Sequence, residues 1–211
     1  YAILDQWYMP KLYLKVDDIM DYVKTFSIRM FKKDCLDLPA KLPIETLQVE
    51  MSDKQKKYYK EMLRTSVIEE HELIAENGAA RLNYLRQIAS GFMYVKGDDE
   101  SEERKIIDLG DEKVKVLKDF IIDLDKPIVI FYQFNESFEK IKKMLDKNKV
   151  PMLYLNSRQK DKQIWKKFQQ GEAKVFLAQY QSASRGIDLF RADTFIYYEP
   201  TLSSEIHEQS S

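Results

Sequence analysis

"VFLAQYQSASRGIDLFRADTFIYYEP", Val175 to Pro200, sets a Ser/Arg/Gly/Asp loop between two apolar runs that read as buried strands. A polar turn leaving a buried strand is where α/β sheets gather their ligand contacts. Upstream, strands and helices alternate. A helix expected around Val114 to Leu124 leads into "PIVIFYQF", Pro127 to Phe134, a continuous apolar run of the kind found in central parallel strands. A helix with Phe138, Ile141, Met144 and Leu145 inward follows, then a short strand "MLYL" and a helix with Ile164, Trp165 and Phe168 inward. The last two strands are those of the opening stretch. This alternation predicts an α/β fold with a parallel sheet covered by helices on both faces, each crossover long enough for a right-handed βαβ unit.

The first half reads differently. Ile19, Met20, Val23 and Phe26 recur at helical spacing behind Asp17, a candidate N-cap. "LPAKLP", Leu38 to Pro43, interrupts any helix, and "IETLQVEM" after it alternates as a half-exposed strand would. Ser52 and Gln55 form a capping box opening a helix with Tyr58, Tyr59, Met62, Leu63 and Val67 on its apolar side. Gly78 separates it from a helix carrying Leu82, Leu85, Ile88, Ala89 and Phe92. The acidic run "KGDDESEE", Lys96 to Glu103, is the best internal boundary, giving a helical subdomain over 1–104 and a sheet domain over 105–211.

Composition narrows the function classes. With 34 basic and 35 acidic residues the formal charge is −1, so any nucleic-acid surface is a local patch and not a global field. Cys35 is the only cysteine, which excludes an intrachain disulfide and a cysteine metal cage and makes the reducing cytoplasm the default compartment. No apolar stretch approaches the roughly 20 residues that span a bilayer. The chain starts without Met and stops in mid-pattern, as a fragment would.

The tract "SRGID", Ser184 to Asp188, followed by an apolar strand and Glu199-Pro200, resembles motif V of superfamily 2 helicases and translocases. "SIRMFKKDCLDLPAKLPIETLQVEMSDKQKKYY" resembles the link between the two lobes of Swi/Snf-type ATPases, although Arg29, Lys32 and Lys33 replace the usual paired arginines. "RLNYLRQIASG", "DEKVKVLKDFI", "PIVIFYQF" (motif IV) and "LYLNSRQKDKQIWKKFQQGEAKVFLA" follow in the family's order. The resemblance implies a C-terminal RecA-like lobe (a P-loop NTPase-like helicase fold) with a mainly helical N-terminal subdomain. It also implies that ATP and Mg²⁺ serve the full-length protein and none is bound by the chain alone. Nothing here fits G-x-x-x-x-G-K-[ST], so the phosphate loop and the metal-holding carboxylates are expected on a first lobe, an implied partner together with double-stranded DNA. Gln209 matches the start of motif VI, whose arginines come a few residues later. The chain alone is therefore expected to lack ATPase activity.

On the same resemblance, Gly186, Asp188 and Arg185 would meet ATP, and Gln133, Asn156, Ser157, Ser182 and Ser184 would meet nucleic acid. Small side chains with exposed N–H groups suit phosphate contacts, which need donors and close approach more than charge. Each residue also has a plainer reading. Gly186 is equally a turn glycine, Asp188 a helix N-cap, Gln133 a strand-end cap and Asn156-Ser157 a loop former. The stripe Lys54, Lys56, Lys57, Lys60 and Arg64 suits either duplex DNA or solvent. His71 and His207 are too isolated to bind metal. An unwinding helicase acting on RNA or DNA and a non-catalytic α/β interaction module are the alternatives to a DNA translocase.

Overall fold

The computed structural model describes residues 2–4, 10–13, 15–28, 44–96, 104–183 and 187–201. The chain divides into two compact units between Leu47 and Gln48. In the first, β1 (Ala2–Leu4) and β2 (Pro10–Tyr13) pair antiparallel, and α1 (Val16–Lys24) follows. Asp17 lies within the first turn of α1, and the N-cap is Lys15 in a left-handed conformation (φ 55°). The helix is amphipathic as its spacing predicts, yet none of its residues is buried within this unit.

An extended run, residues 44–52, where the sequence pattern predicts a strand, carries the chain from the first unit into the second. The alternation is present, but the run has no ladder partner among the described residues and stays irregular. α2 (Asp53–Thr65) then starts at the predicted capping box: the Ser52 hydroxyl accepts the Gln55 N–H at 3.2 Å, and Gln55 Oε1 accepts the Ser52 N–H at 3.0 Å. Tyr58 and Met62 are buried on α2, whereas Leu63 is exposed and Val67 belongs to a hairpin of β3 (Val67–Ile68) and β4 (Leu73–Ile74). Asn77 caps α3 (Gly78–Ala89) through its side-chain oxygen, 2.8 Å from the Ala80 nitrogen. Phe92, predicted on that helix, instead opens β5 (Phe92–Val95), which pairs antiparallel with β6 (Lys105–Asp108). Gly91 ends the helix with φ 87°, and a Cβ there would stand 2.1 Å from the Gly110 carbonyl oxygen, so helix periodicity cannot continue through it. Tyr58, Met62, Ile68, Leu85, Ile88 and Met93 form the core of this half.

Alternation of side chains then builds the sheet. β7 (Ile128–Tyr132), β8 (Met152–Leu155), β9 (Val175–Gln179) and β10 (Thr194–Tyr197) are all parallel, in the order β10-β7-β9-β8. Ile128, Ile130 and Tyr132 face α4 (Glu112–Asp123) and α5 (Asn135–Lys147) through Leu117, Ile121, Ile141 and Leu145. Val129 and Phe131 face the opposite layer, α6 (Ile164–Gln169) and the single turn α7 (Tyr180–Ala183). Burial of each such aliphatic side chain contributes about 1.5–3 kcal/mol, so β7 and β9, buried at every position, anchor the fold. The α/β expectation with helices on both faces holds. Among the described residues no helix is long and apolar enough to cross a membrane.

Candidate functional site

Because the four strands are parallel, their exits share one edge. β7 leaves toward the α5 layer and its neighbour β9 toward the α7 layer. Adjacent strands whose chains depart to opposite faces open a crevice between their carboxyl ends, the usual ligand position in such sheets. Gln133 and Gln179 stand at that crevice. Gln179 Nε2 approaches the Gln133 carbonyl and Asn135 Oδ1 only at 3.5 Å each, the limit of a hydrogen bond.

The other predicted residues distribute as follows. Asn156, at the exit of β8, is buried, and its Oδ1 accepts the Arg158 and Gln159 N–H groups at 3.0 and 3.1 Å, so its side chain shapes the turn. Ser157 beside it is exposed. Ser182 is half-buried on α7, just past the exit of β9. Gln133, Asn156, Ser157 and Ser182 therefore gather on one rim. Asp188 does not join them. Gln169, the last residue of α6 and so at the far edge of the sheet, donates to its carbonyl, and its carboxylate accepts the Phe190 N–H at 3.2 Å, closing a turn and capping no helix. Ser184, Arg185, Gly186 and Gln209 lie outside the described residues, as do Cys35, the Arg29, Lys32 and Lys33 cluster, and the acidic run 97–103. In the basic stripe, Lys57 pairs with Glu70 at 2.6 Å and Lys54 donates to the Asp108 carbonyl at 2.9 Å.

Beneath the rim lies a residue that the strand-exit rule points to and the sequence reading left aside. Glu199 lies two residues past the end of β10 and is 1% exposed. Its carboxylate accepts the Gln133 N–H at 2.8 Å and the Ser137 hydroxyl, and its carbonyl accepts the Tyr180 hydroxyl at 2.8 Å. One side chain thus ties the exit of β10 to that of β7 and to the first turn of α5, where the helix dipole favours an anion. Lys113 lies near this carboxylate, its ammonium 4.4 Å from the Tyr198 ring centre. Burial holds Lys113 below the ordinary lysine range, with Glu199 opposing that fall and Arg86 adding to it. Burial likewise pushes the Tyr180 and Tyr198 phenols far up, so both stay protonated.

A wall stands over the crevice. The hairpin β5–β6 is pinned by Lys140 on α5, whose ammonium reaches Asp108 at 2.7 Å, Asp111 at 2.9 Å and the Gly91 and Gly110 carbonyls at 3.1 and 2.9 Å. From that hairpin the Tyr94 hydroxyl accepts the Glu136 N–H at 3.2 Å. Wall and rim enclose an open cleft of about 390 Å³. Its hairpin side was not legible in the sequence, because Phe92 to Val95 continue the apolar spacing of α3.

Residues 112–211 match the family described as "Helicase conserved C-terminal domain". Among solved structures, the chain is similar to the C-terminal part of the Fun30 ATPase domain, with a TM-score of 0.56 and 13% identity over 78% of this chain and 76% of that one. It is also similar to the Hef helicase domain of Pyrococcus furiosus, with a TM-score of 0.40 and 26% identity over 47% of this chain and 22% of that one. No curated protein matches it in sequence.

Proposed function

We propose that the chain carries the C-terminal, RecA-like lobe of a superfamily 2 helicase and is one half of a DNA-dependent ATPase of the Swi/Snf type. The observation behind this reading is the gathering of Gln133, Ser157 and Ser182 on the carboxyl edge of one parallel sheet, with short or amide side chains able to approach a phosphate. In the proposed cycle a first lobe supplies the phosphate loop, ATP binds between the lobes, and closure moves this rim along a DNA strand. ATP with Mg²⁺ would supply the hydrolysis that drives closure. Among the described residues no group of acidic, His or Cys side chains gathers as a metal site. Of the residues assigned to nucleotide, Arg185 and Gly186 lie outside the described set, as does Gln209 at the start of motif VI, and Asp188 stands away from the rim.

What this half does by itself is hold DNA weakly. Ser182→Glu places a carboxylate where a phosphate would sit, and we expect about a tenfold loss of duplex affinity, with binding of the unchanged chain itself falling steeply with salt. Fluorescence anisotropy with labelled duplexes reads both. Unchanged affinity would remove Ser182 from the interface. In a protein extended to both lobes, hydrolysis stimulated by RNA and not by duplex DNA would replace the translocase with the unwinding-helicase alternative, and stimulation by neither would favour the interaction module.

A further inference from the structure

The cleft beside the rim has a chemistry that phosphate contacts leave unused. Tyr94 and Ile106 are register partners across β5–β6, so their side chains leave the same face of the hairpin and form one apolar wall. Ile106 is 46% exposed, which is unusual for an isoleucine inside a paired strand and leaves an apolar surface open to a ligand. Opposite stand the amides of Gln133 and Gln179 and the Glu136 carboxylate. The Gln133 amide and the Glu136 carboxylate make no hydrogen bond among the described residues, and Gln179 makes only its two 3.5 Å contacts. Arg104 and Arg158, both exposed, line the same cleft, with Arg158 in a loose 3.8 Å ion pair with Glu139 that leaves its other donors open.

This combination excludes simpler occupants. A bare phosphate would leave the apolar wall and the two amides unused. A basic peptide would meet the two arginines. A flat group whose edge both donates and accepts hydrogen bonds, carrying an anion at one end, satisfies the apolar wall, the amides and the arginines together. Burial, opposed in part by Lys140, raises the Glu136 carboxyl above its usual range. The volume, about 390 Å³, falls within the ~300–1,000 Å³ of sites that enclose small ligands.

We propose that this cleft takes one unpaired nucleotide of the bound strand, its base against Tyr94 and Ile106 with its edge toward Gln133 and Gln179, and its phosphate at Arg104 and Arg158. The proposal rests on the reading that the rim binds nucleic acid. A base inside a duplex has its pairing edge occupied, so the cleft calls for a base turned out of the stack.

The test uses the chain with three duplexes that share one sequence: fully paired, with a single unpaired 2-aminopurine, and with an abasic residue in that place. Anisotropy reads binding, and 2-aminopurine fluorescence reads the surroundings of the base. The unpaired base should bind about tenfold more tightly than the abasic control, as one base on an aromatic platform does. Its fluorescence should change on binding. Ile106→Glu, at an exposed position where folding is checked by thermal melting, should bring the preference to near unity. Equal affinity for all three duplexes with no fluorescence change overturns the pocket and leaves the rim reading intact. Absence of binding to any duplex overturns both. Free 2-aminopurine nucleoside monophosphate that binds as tightly as the unpaired duplex would assign the cleft to a soluble nucleotide and overturn the strand assignment.

Discussion

Two pairs of glutamines in the second unit are treated in opposite ways. Within residues 48–110, Gln55 is 2% exposed, donates to the Ile88 carbonyl at 2.8 Å and closes the capping box, while Gln87 accepts the Tyr94 N–H at 3.1 Å. At the sheet edge, Gln133 keeps its side-chain amide without a partner among the described residues and Gln179 makes only long contacts. Buried polar groups are ordinarily satisfied because an unmade hydrogen bond there costs about 1–3 kcal/mol. The first pair uses its amides to hold backbone, and the second leaves them turned toward a cleft. Substitutions in the first set should act on stability, and those in the second on binding.

Glu199→Ala is the hardest test of that division, because Glu199 belongs to the rim by position and to the scaffold by its bonds. Removing the carboxylate leaves the Gln133 N–H and the Ser137 hydroxyl unpaired and Lys113 without its nearby anion. A loss of about 3 kcal/mol is expected in chemical denaturation, the scale for breaking a buried charged network. Glu199→Gln, which keeps an acceptor for one of the two donors, should lose less than half as much. If Glu199→Ala left stability unchanged and abolished DNA binding alone, the residue would move to the functional side of the comparison.

Lys140→Met comes next. It keeps the length of the side chain, whose exposure is 10%, but leaves the Gly91 and Gly110 carbonyls without their charged donor, at a cost of about 2 kcal/mol. Burial alone would lower the Lys140 pKa, but its bonds to Asp108 and Asp111 prevail and raise it above 10.5. For Asp108, burial pushes upward, and Lys140 with the Gly110 N–H prevails, holding it below 3.8. The lysine's contribution is complete below 10.5 and lost as pH rises through its higher folded value. The aspartate's is complete above 3.8 and lost as pH falls through its lower folded value. The stability difference between wild type and Lys140→Met should therefore stay flat across neutral pH and shrink only at the two extremes. A difference that changes between pH 6 and 8, roughly where histidine titrates, would mean another group governs the clamp.

The lobe was far more legible than the region before it, for a physical reason. β7 and β9 are buried on both faces, so "IVIFY" and "VFLAQ" read as continuous apolar runs, and the helices between them carry clean inward faces. The hairpins β3–β4 and β5–β6 are too short for a period, and β5 follows α3 with only Ser90 and Gly91 between, so its residues continue the helical spacing. Gly91 carried the missing signal: a glycine two residues past a helical run is a C-cap before it is a helix interior. On the rim, strand exits could be read from the pattern and side-chain partners could not. Asn156 reads like Gln133 in sequence, yet two backbone N–H groups occupy its oxygen. Asp188 shares a motif with its neighbours but is drawn to the other edge by Gln169, 19 positions earlier.

Gln133→Ala is expected to have the smallest effect on folding and therefore gives the sharpest separation of the two regions. The backbone N–H of residue 133 still reaches Glu199, β7 is untouched, and the side chain gives up no hydrogen bond made to a described residue. The expected change in stability is below about 0.5 kcal/mol, the range of substitutions away from packed or bonded positions. Duplex affinity should nevertheless fall about threefold to tenfold, because the lost amide is one of the few rim groups free to meet a ligand. Gln55→Ala provides the counterpart: it should lower stability by about 1–3 kcal/mol, since the Ile88 carbonyl and the Ser52 N–H lose their partner, and leave affinity unchanged once folding is corrected for. If both variants shifted stability alone, the unpaired amide at the edge would be an ordinary strand-end residue, and the contrast between the two regions would be one of burial and not of purpose.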